Sequence, residues 1–248
     1  MPQPSASDRR QSVRTGVVWD GVRRLLEDDG AFYEQQARIV DIGGGTGGFA
    51  VPLAELGHTV QVIDPSPDAL ASLDRRARER GVAHRVTGQQ GDLSDLPGLV
   101  EEADLVLCHG VLEMVEDPAA SLVAIAGVLR LGGHLSLLVA QRHAAVVARA
   151  MAGHFQAARD LLDGDSTTLS AGRVGRRFTH DEVADLLATA GLRPASVQAV
   201  RVFADLVPGS LLDLEPGATA ALIELERAVA TRPEYLPLAA QLHVIASR

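Results

Sequence analysis

The stretch VDIGGGTGGF, residues 40–49, decides the fold. It lies between residues 38–43, which the apolar pattern predicts to be a strand, and residues 49–56, predicted to be a helix that ends at Gly57. Glycines let a backbone approach a ligand closely, and the first turn of a helix leaves N–H groups free to bind one. The stretch therefore predicts a ligand-binding turn after the first strand of an α/β fold.

The glycine spacing fits two kinds of ligand. From Gly43 to Gly48 it satisfies G-x-G-x-x-G, the dinucleotide fingerprint, and from Gly43 to Gly47 it satisfies G-x-G-x-G. Asp64, about 20 residues further on at the end of the second predicted strand, suits a ribose diol in both cases. Asp41 favours a ligand with an amino-acid moiety over a dinucleotide. Its carboxylate would repel a pyrophosphate but accommodate the ammonium of the amino acid, directly or through water.

Strands and helices alternate about every 20–25 residues as far as residue 140, which predicts a parallel sheet with right-handed crossovers. The further predicted strands of this region are 58–64, 85–90, 103–110 and 134–140, the last preceded by a break at Gly132–Gly133. Its further predicted helices are 13–26, 67–80 and 118–129. Beyond it, the pattern predicts helices over 141–163, 181–190 and 218–230, a polar loop over 164–177, and β-like stretches at 196–206 and 238–246.

The length and composition predict one domain. The 248 residues are 46% hydrophobic, enough for one substantial core, so we expect a single domain over 1–248. Within it, we expect a helical N-terminal segment over 1–37. We also expect an insert over 141–177 above the carboxyl ends of the strands, where ligands bind in open α/β sheets. The formal net charge of −9 excludes a uniformly basic nucleic-acid-binding surface but not a local basic patch.

Cysteine usage and hydropathy exclude several other classes. Cys108 is the only cysteine, so an internal disulfide and a cysteine-based zinc site are both excluded. The polar N-terminus lacks the apolar region of a secretory signal, and no apolar run approaches the ~20 residues of a membrane span. We therefore expect a soluble cytoplasmic protein that has no metal site and does not span a membrane.

Five segments over residues 38–140 resemble the class I S-adenosylmethionine-dependent methyltransferases in order and spacing. These segments are VDIGGGTGG, VIDPSPDAL, GQQGDLSDLP, ADLVLCHGVLEMVEDP and LRLGGHLSLL. The resemblance implies a Rossmann-like α/β fold with a seven-stranded, mostly parallel sheet, an antiparallel last strand and a helical insert after the fifth strand. It also implies S-adenosylmethionine as the cofactor, with S-adenosylhomocysteine as the product.

The same resemblance assigns cofactor-binding roles at the ends of the strands. The residues concerned are Gly43, Gly44, Gly45, Asp64, Gln90, Gly91, Asp92 and His109. The glycines would pass under the methionine moiety, Asp64 would hold the ribose hydroxyls, and residues 90–92 would flank the adenine. His109 would lie near the sulfonium.

Further segments resemble the tRNA 5-carboxymethoxyuridine methyltransferases. They are SVRTGVVWDGVRRLL at 12–26, CHGVLEMVEDP at 108–118, VRVFADL at 200–206, LIELE at 222–226 and RPEYLPLAAQLHVIA at 232–246. By this resemblance Arg14 would reach the methionine carboxylate of the cofactor, and Arg201 would lie near the substrate. We also predict Arg142 and Tyr235 at the substrate. The partner would be a tRNA anticodon loop, which would need only a local positive rim.

The resemblance is incomplete where a substrate would be recognised. Met114 replaces a tryptophan of the family's motif, and Gln141, Arg142 and His143 stand where the family has an Asn-Ala-His sequence. The basic stretch of the insert is reduced to three arginines. These three are Arg173, Arg176 and Arg177. Together with Arg201, Arg9 and Arg10 they could form a local positive rim.

Four functions remain open from the sequence. The first is methyl esterification of the wobble-uridine carboxylate by direct in-line transfer, which needs no general base, so we predict no catalytic residue. The second is methylation of a small molecule of secondary metabolism. A nicotinamide-dependent oxidoreductase is the third, although the chain has no lysine and hence no Tyr-x-x-x-Lys motif. A catalytically idle cofactor-binding module is the fourth.

Overall fold

A computed structural model describes residues 6–27, 36–162, 175–212 and 217–248, with only the backbone for 6–15, 209 and 210. Within these ranges the strands are β1 (Arg38–Ile42), β2 (Thr59–Asp64), β3 (Val86–Gln90), β4 (Ala103–His109), β5 (Leu129–Ala140), β6 (Arg193–Val200) and β7 (Gln241–Ser247). The α-helices are α1 (Ala6–Glu27), α2 (Ala50–Glu55), α3 (Pro67–Glu79), α4 (Leu96–Leu99), α5 (Pro118–Val128), α6 (Arg142–Met151), α7 (Phe155–Leu162), α8 (His180–Thr189), α9 (Gly209–Leu212) and α10 (Ala218–Val229). Two 3-10 helices cover Leu93–Asp95 and Pro233–Leu238.

The strands form one sheet in the order β3-β2-β1-β4-β5-β7-β6. The sheet is mostly parallel and its last strand is antiparallel, which confirms the predicted α/β fold class. Asp41 of β1 pairs in parallel register with Val62 of β2 on one side and Leu107 of β4 on the other. The strand order reverses between β1 and β4, and open α/β sheets bind ligands at the carboxyl ends of strands at such a point.

The chain divides into two compact units. The described parts of 1–24, 138–183 and 197–243 form the first, and those of 25–137, 184–196 and 244–248 form the second. The single domain over 1–248 stays a prediction, as does the assignment of 141–177 to the substrate side.

In the second unit, β4 is buried along most of its length. Residues 105–108 of this strand are fully buried, as a nearly continuous apolar run predicts for a strand covered on both faces. Cys108 belongs to this run, and burial raises the pKa of its thiol to about 12, so the thiol stays protonated. Its role is core packing.

In the first unit, α1 packs against β6 and β7 at Gly21, a residue that has no side chain. A Cβ on Gly21 would lie 2.5 Å from Gln198 Oε1 and 2.8 Å from His243 Cε1, so β6 and β7 approach this closely only with glycine there. Gln198 and His243 are buried, and Oε1 of Gln198 lies 3.0 Å from Nδ1 of His243. Val18 and Val22 of the same helix are fully buried.

The boundaries of α2 and α3 agree with the sequence patterns, because their signals are local. Ser66 accepts a hydrogen bond from the Ala69 N–H at the start of α3. Gly57 and Gly81 follow the ends of α2 and α3 with φ of +106° and +73°, the conformation that favours glycine after a helix.

Some predicted boundaries are wrong. The helix predicted over 141–163 is two helices, α6 and α7, separated at Gly153, whose φ is +78°. The expected break at Gly132–Gly133 lies inside β5, because the Gly132 N–H donates to the Arg248 carbonyl and the Arg248 N–H donates to the Gly133 carbonyl. The predicted helix at 13–26 begins earlier, at Ala6. Most of the predicted loop, residues 164–174, lies outside the described residues.

The strand in this region ends earlier than the β-like stretch predicted over 196–206. The strand β6 stops at Val200, and Arg201 follows with φ of +58°. Among the described residues it is the only one other than glycine with a positive φ. A side chain disfavours this conformation, so the chain turns sharply here at a cost in backbone strain.

Candidate functional site

The glycine loop, residues 43–48, lies in the second unit and is tightly packed at some positions and open at others. Gly43 has φ of +67°, and a Cβ there would lie 2.6 Å from a side-chain carbon of Val111. A Cβ at Gly45 would meet no atom closer than 3.8 Å, and one at Gly48 would meet none within 4 Å. A ligand can therefore approach the backbone on the open side of this loop.

Asp41 places a buried carboxylate against the loop. Its side chain is 3% exposed, and a Cβ on Gly44 would lie 2.5 Å from its Oδ2. That oxygen has no hydrogen-bond partner among the described residues. Burial, together with the nearby Asp64 carboxylate, raises the pKa of Asp41 to about 7. A cationic ligand group would favour its ionised form, whereas a pyrophosphate would not.

Asp64 connects the end of β2 to the glycine loop. Its Oδ2 accepts a hydrogen bond of 2.9 Å from the Gly45 N–H, and its Oδ1 accepts one of 2.9 Å from the Ser66 N–H. A carboxylate offers about four lone-pair positions, so both oxygens can still accept bonds from hydroxyl groups. The position agrees with the predicted ribose contact, which stays a prediction.

Residues 90–92 lie beside the end of β2. The Gln90 side-chain amide donates to the Pro65 carbonyl, and the Gly91 N–H donates to the Asp64 carbonyl, each over 3.3 Å. Asp92 is exposed and caps the 3-10 helix that follows, and the hydrogen bonds it accepts from Ser94 lower the pKa of its carboxyl. Its role at the adenine stays a prediction.

His109 ends β4 and is held on two sides. Its Nε2 lies 2.8 Å from Ser136 Oγ of β5. Its ring meets that of Phe49 edge to face, with 4.9 Å between centroids. The sequence analysis missed both partners, although Phe49 directly follows the glycine loop and Ser136 is the polar residue inside the apolar run of β5.

The first unit contains a cavity of about 500 Å³. One wall is an alanine face of α6 and the residue that follows it, made of Ala144, Ala148 and Ala152 at four-residue spacing together with Ala145. The charged lining residues are Arg149, Arg177, Arg201 and Asp205. We name this space the alanine-walled cavity. Three guanidinium groups against one carboxylate give its lining a net positive charge.

Arg201 is the lining residue that sequence analysis had assigned to the substrate. Its Nη2 lies 3.0 Å from Asp205 Oδ2, and a quarter of its side chain is exposed. Its Nε is buried and has no hydrogen-bond partner among the described residues. The guanidinium therefore keeps donor capacity for an anionic ligand.

The glycine loop, Asp41 and Asp64 fit a ligand that carries an amino acid and a ribose, and residues 40–137 match the family described as a methyltransferase domain. The tRNA 5-carboxymethoxyuridine methyltransferase of Escherichia coli is 29% identical over 239 residues, which cover 95% of this chain and 88% of that protein. The chain is an S-adenosylmethionine-dependent methyltransferase that resembles the class I family.

Other methyltransferases are also similar to it. A ubiquinone biosynthesis O-methyltransferase of Ralstonia nicotianae is 30% identical over 165 residues, 66% of each chain. In fold, the methyltransferase is similar to the magnesium protoporphyrin IX methyltransferase of Synechocystis with bound S-adenosylhomocysteine. The TM-score is 0.67 and the identity 17%, over all of this chain and 90% of that one. These comparisons favour methyl transfer over the nicotinamide-dependent alternative.

Two residues predicted at the substrate of the methyltransferase are engaged elsewhere. Arg142 pairs with the Glu182 carboxylate over 2.8 Å and donates to the Arg177 carbonyl. The Tyr235 ring packs edge to face on Phe203, with 6.0 Å between centroids. Neither is among the described residues that line the alanine-walled cavity, so their substrate roles stay predictions.

The predicted positive rim of the methyltransferase is described in part. Arg177 and Arg201 line the alanine-walled cavity, whereas Arg173 lies outside the described residues. The side chains of Arg9, Arg10 and Arg14 are likewise outside them, although the backbone of all three belongs to α1.

The described residues lack two features, a cluster of metal ligands and a membrane-spanning helix. They contain no group of three or more histidine, cysteine, aspartate or glutamate side chains placed to hold a metal ion. None of their helices combines the length and the apolar character needed to cross a bilayer.

Proposed function

We propose that this methyltransferase esterifies the carboxylate of 5-carboxymethoxyuridine at the wobble position of a tRNA. The observation that carries the proposal is the alanine-walled cavity, whose lining has three arginines against one aspartate. Guanidinium groups bind carboxylates through charged hydrogen bonds. The similarity to the Escherichia coli tRNA enzyme over 95% of the chain supports the same substrate.

The reaction needs positioning rather than proton transfer. S-adenosylmethionine, when bound, supplies a methyl group on a positively charged sulfur, so that an O–C bond can form in line as the C–S bond breaks. An ionised carboxylate already carries the nucleophilic lone pair, and no proton moves. Arg201 holds the carboxylate through one oxygen and leaves the other free to attack, while the alanine wall limits access of water.

The donor site is built from the residues around the glycine loop. Asp41 fits the ammonium of the methionine moiety, because its Oδ2 is buried without a partner among the described residues. Asp64 would hold the ribose hydroxyls, residues 90–92 would flank the adenine, and His109 would lie near the sulfonium. The resemblance also assigns the carboxylate of the methionine moiety to Arg14, whose side chain lies outside the described residues.

A small carboxylic acid is the second candidate acceptor. The cavity of about 500 Å³ falls within the range of about 300–1,000 Å³ typical of small-molecule sites. The similarity to the ubiquinone biosynthesis O-methyltransferase favours a small-molecule acceptor in general. For this acceptor the donor chemistry is the same and no RNA contact is needed.

The two candidates are separated by incubating the purified protein and S-adenosylmethionine with tRNA that carries 5-carboxymethoxyuridine. The proposal predicts a nucleoside that is one methylene heavier and returns to its original mass in mild alkali, as an ester does. A variant with Arg201→Gln is expected to form far less of it, while the exposed control Arg193→Gln keeps full activity. Unchanged nucleosides would leave the small acid as the candidate.

A further inference from the structure

A buried glutamate holds the turn that presents Arg201. Glu226 of α10 is fully buried. Its carboxylate accepts hydrogen bonds from three consecutive backbone N–H groups: Val202 at 2.8 Å, Phe203 at 2.8 Å and Ala204 at 2.7 Å. These groups directly follow Arg201, whose positive φ opens the turn.

The three hydrogen bonds compensate for two unfavourable features, the buried carboxylate of Glu226 and the left-handed backbone of Arg201. A carboxylate removed from water is unfavourable unless hydrogen bonds replace its hydration, and consecutive N–H groups pointing to one place form an anion-binding nest. The left-handed conformation of Arg201 is also unfavourable, so surrounding contacts must hold it. The three bonds to Glu226 meet both requirements.

The turn forms part of the wall of the alanine-walled cavity. Arg201, Val202, Asp205 and Leu206 all line it. The Leu206 N–H donates to the carbonyl of Phe203, which closes the turn over 2.9 Å. The placement of both charged groups, the guanidinium of Arg201 and its partner carboxylate, therefore depends on how this short segment is fixed.

We propose that Glu226 is a positioning residue of the acceptor site, which fixes the Arg201 turn so that the guanidinium lies in the alanine-walled cavity. This role rests on the proposed function, because it takes the cavity as the site of the acceptor carboxylate. Glu226 does not touch the acceptor. It acts through the backbone of residues 202–204 and through Arg201.

The chemistry of the nest makes Glu226→Gln a sharp test. Oε2 accepts from Val202, and Oε1 accepts from both Phe203 and Ala204. A glutamine has one acceptor oxygen, and its NH2 group would face an N–H that it cannot accept from. The variant keeps the size of the side chain and loses the anion that the nest binds.

Glu224→Gln is the matched control. It lies on the same helix, its side chain is 71% exposed, and its carboxylate pairs with Arg227 at the surface. For Glu226→Gln we expect the KM for the tRNA to rise about tenfold or more, the effect of losing charged hydrogen bonds. We expect S-adenosylhomocysteine to bind with unchanged affinity by calorimetry. Glu224→Gln should change neither quantity.

A cycle with Arg201→Lys shows whether the effect passes through Arg201. If it does, Glu226→Gln adds little to the KM of the Arg201→Lys enzyme. Amide hydrogen exchange at residues 202–204 should also be faster in Glu226→Gln. Faster exchange with an unchanged KM, or additive effects in the cycle, would overturn the positioning role.

The outcome is distinguishable from failure of the proposed function. A wild-type enzyme that leaves the tRNA unmethylated refutes that function, and amide hydrogen exchange at residues 202–204 then still tests whether Glu226 holds the turn. An active wild-type enzyme with a Glu226→Gln variant of unchanged KM refutes the positioning role alone. If Glu226→Gln does not fold, Glu226→Asp replaces it, for which we expect an intermediate rise in KM, and an unchanged KM again refutes the role.

Discussion

At the scale of single residues, Asp41 makes folding depend on pH. The pKa of its carboxyl is raised from 3.8 to about 7 in the folded protein, chiefly by burial and also by Asp64. Between these values the unfolded chain releases the proton and the folded chain keeps it. Stability therefore falls as pH rises from about 4 to about 7, by at most about 1.4 kcal/mol per pH unit from this group.

Asp41→Asn removes this contribution, because an amide does not titrate. We expect urea unfolding to show that the stability of Asp41→Asn, relative to wild type, increases as pH rises through this window. Asp68→Asn, at an exposed position of α3, is the control and should parallel wild type. Parallel curves for wild type and Asp41→Asn would contradict the raised pKa.

Asp64 should contribute strongly to cofactor affinity. Its carboxylate holds the N–H groups of Gly45 and Ser66 and has remaining lone pairs for the ribose. We expect Asp64→Ala to weaken binding of S-adenosylhomocysteine by about 1–3 kcal/mol, measured by calorimetry. Affinity like that of the wild type would show that the ribose assignment is wrong.

At the scale of elements, the glycine loop and α3 fit together through Gly47. Its φ is +80°, and a Cβ there would overlap Cδ1 of Leu73 in α3. Gly47→Ala therefore meets both backbone strain and overpacking, and we expect a loss of about 1–3 kcal/mol in unfolding free energy. Chemical denaturation measures this loss.

Gly48→Ala is the control for this substitution. Gly48 is the next residue along the chain, and a Cβ there would meet no atom within 4 Å. We expect its unfolding free energy to stay close to that of wild type. Equal losses for the two variants would mean that the contact with Leu73 does not set the requirement for glycine.

The elements that sequence analysis placed correctly have local signals. The helix α3 has a serine cap, a proline in its first turn and a glycine after its end, all visible in the sequence. The length of β5 depends instead on bonds between Gly132, Gly133 and Arg248, more than 100 residues apart. A glycine pair looks like a break until its partner strand is known.

The candidate site likewise contains residues with local sequence signals and residues whose positions depend on contacts far apart in the sequence. Asp41, Asp64 and His109 stand at or next to the ends of strands, so the parallel sheet predicted where they lie. The ion pair of Arg142 with Glu182 joins residues 40 positions apart, and the turn at Arg201 depends on a glutamate of a later helix. Neither dependence can be read from local spacing.

At the scale of the whole molecule, His243 opposes Asp41 in the pH dependence of stability. Burial, and to a lesser extent the charge of Arg24, lowers the pKa of His243 from 6.5 to about 3. The unfolded chain takes up a proton below about pH 6.5 while the folded chain does not, so stability falls as pH falls through this range. Over much of the acidic range the two effects have opposite signs.

The opposite effects of His243 and Asp41 are tested by comparing how steeply the unfolding free energy of each variant changes with pH. Relative to wild type, His243→Asn should lose less stability on acidification, by up to about 1.4 kcal/mol per pH unit. Asp41→Asn should shift the slope in the other direction. Urea unfolding at a series of pH values gives both, and shifts of the same sign would contradict the assignment.

The shielded thiol of Cys108 has a practical consequence. It is the only cysteine of the chain, and its protonated, buried state makes it slow to react with alkylating reagents. Met114, by contrast, has a side chain that is 74% exposed. In a Met114→Cys variant, maleimide dyes would attach at residue 114, so that fluorescence could follow binding of the proposed tRNA substrate in real time with Cys108 left in place.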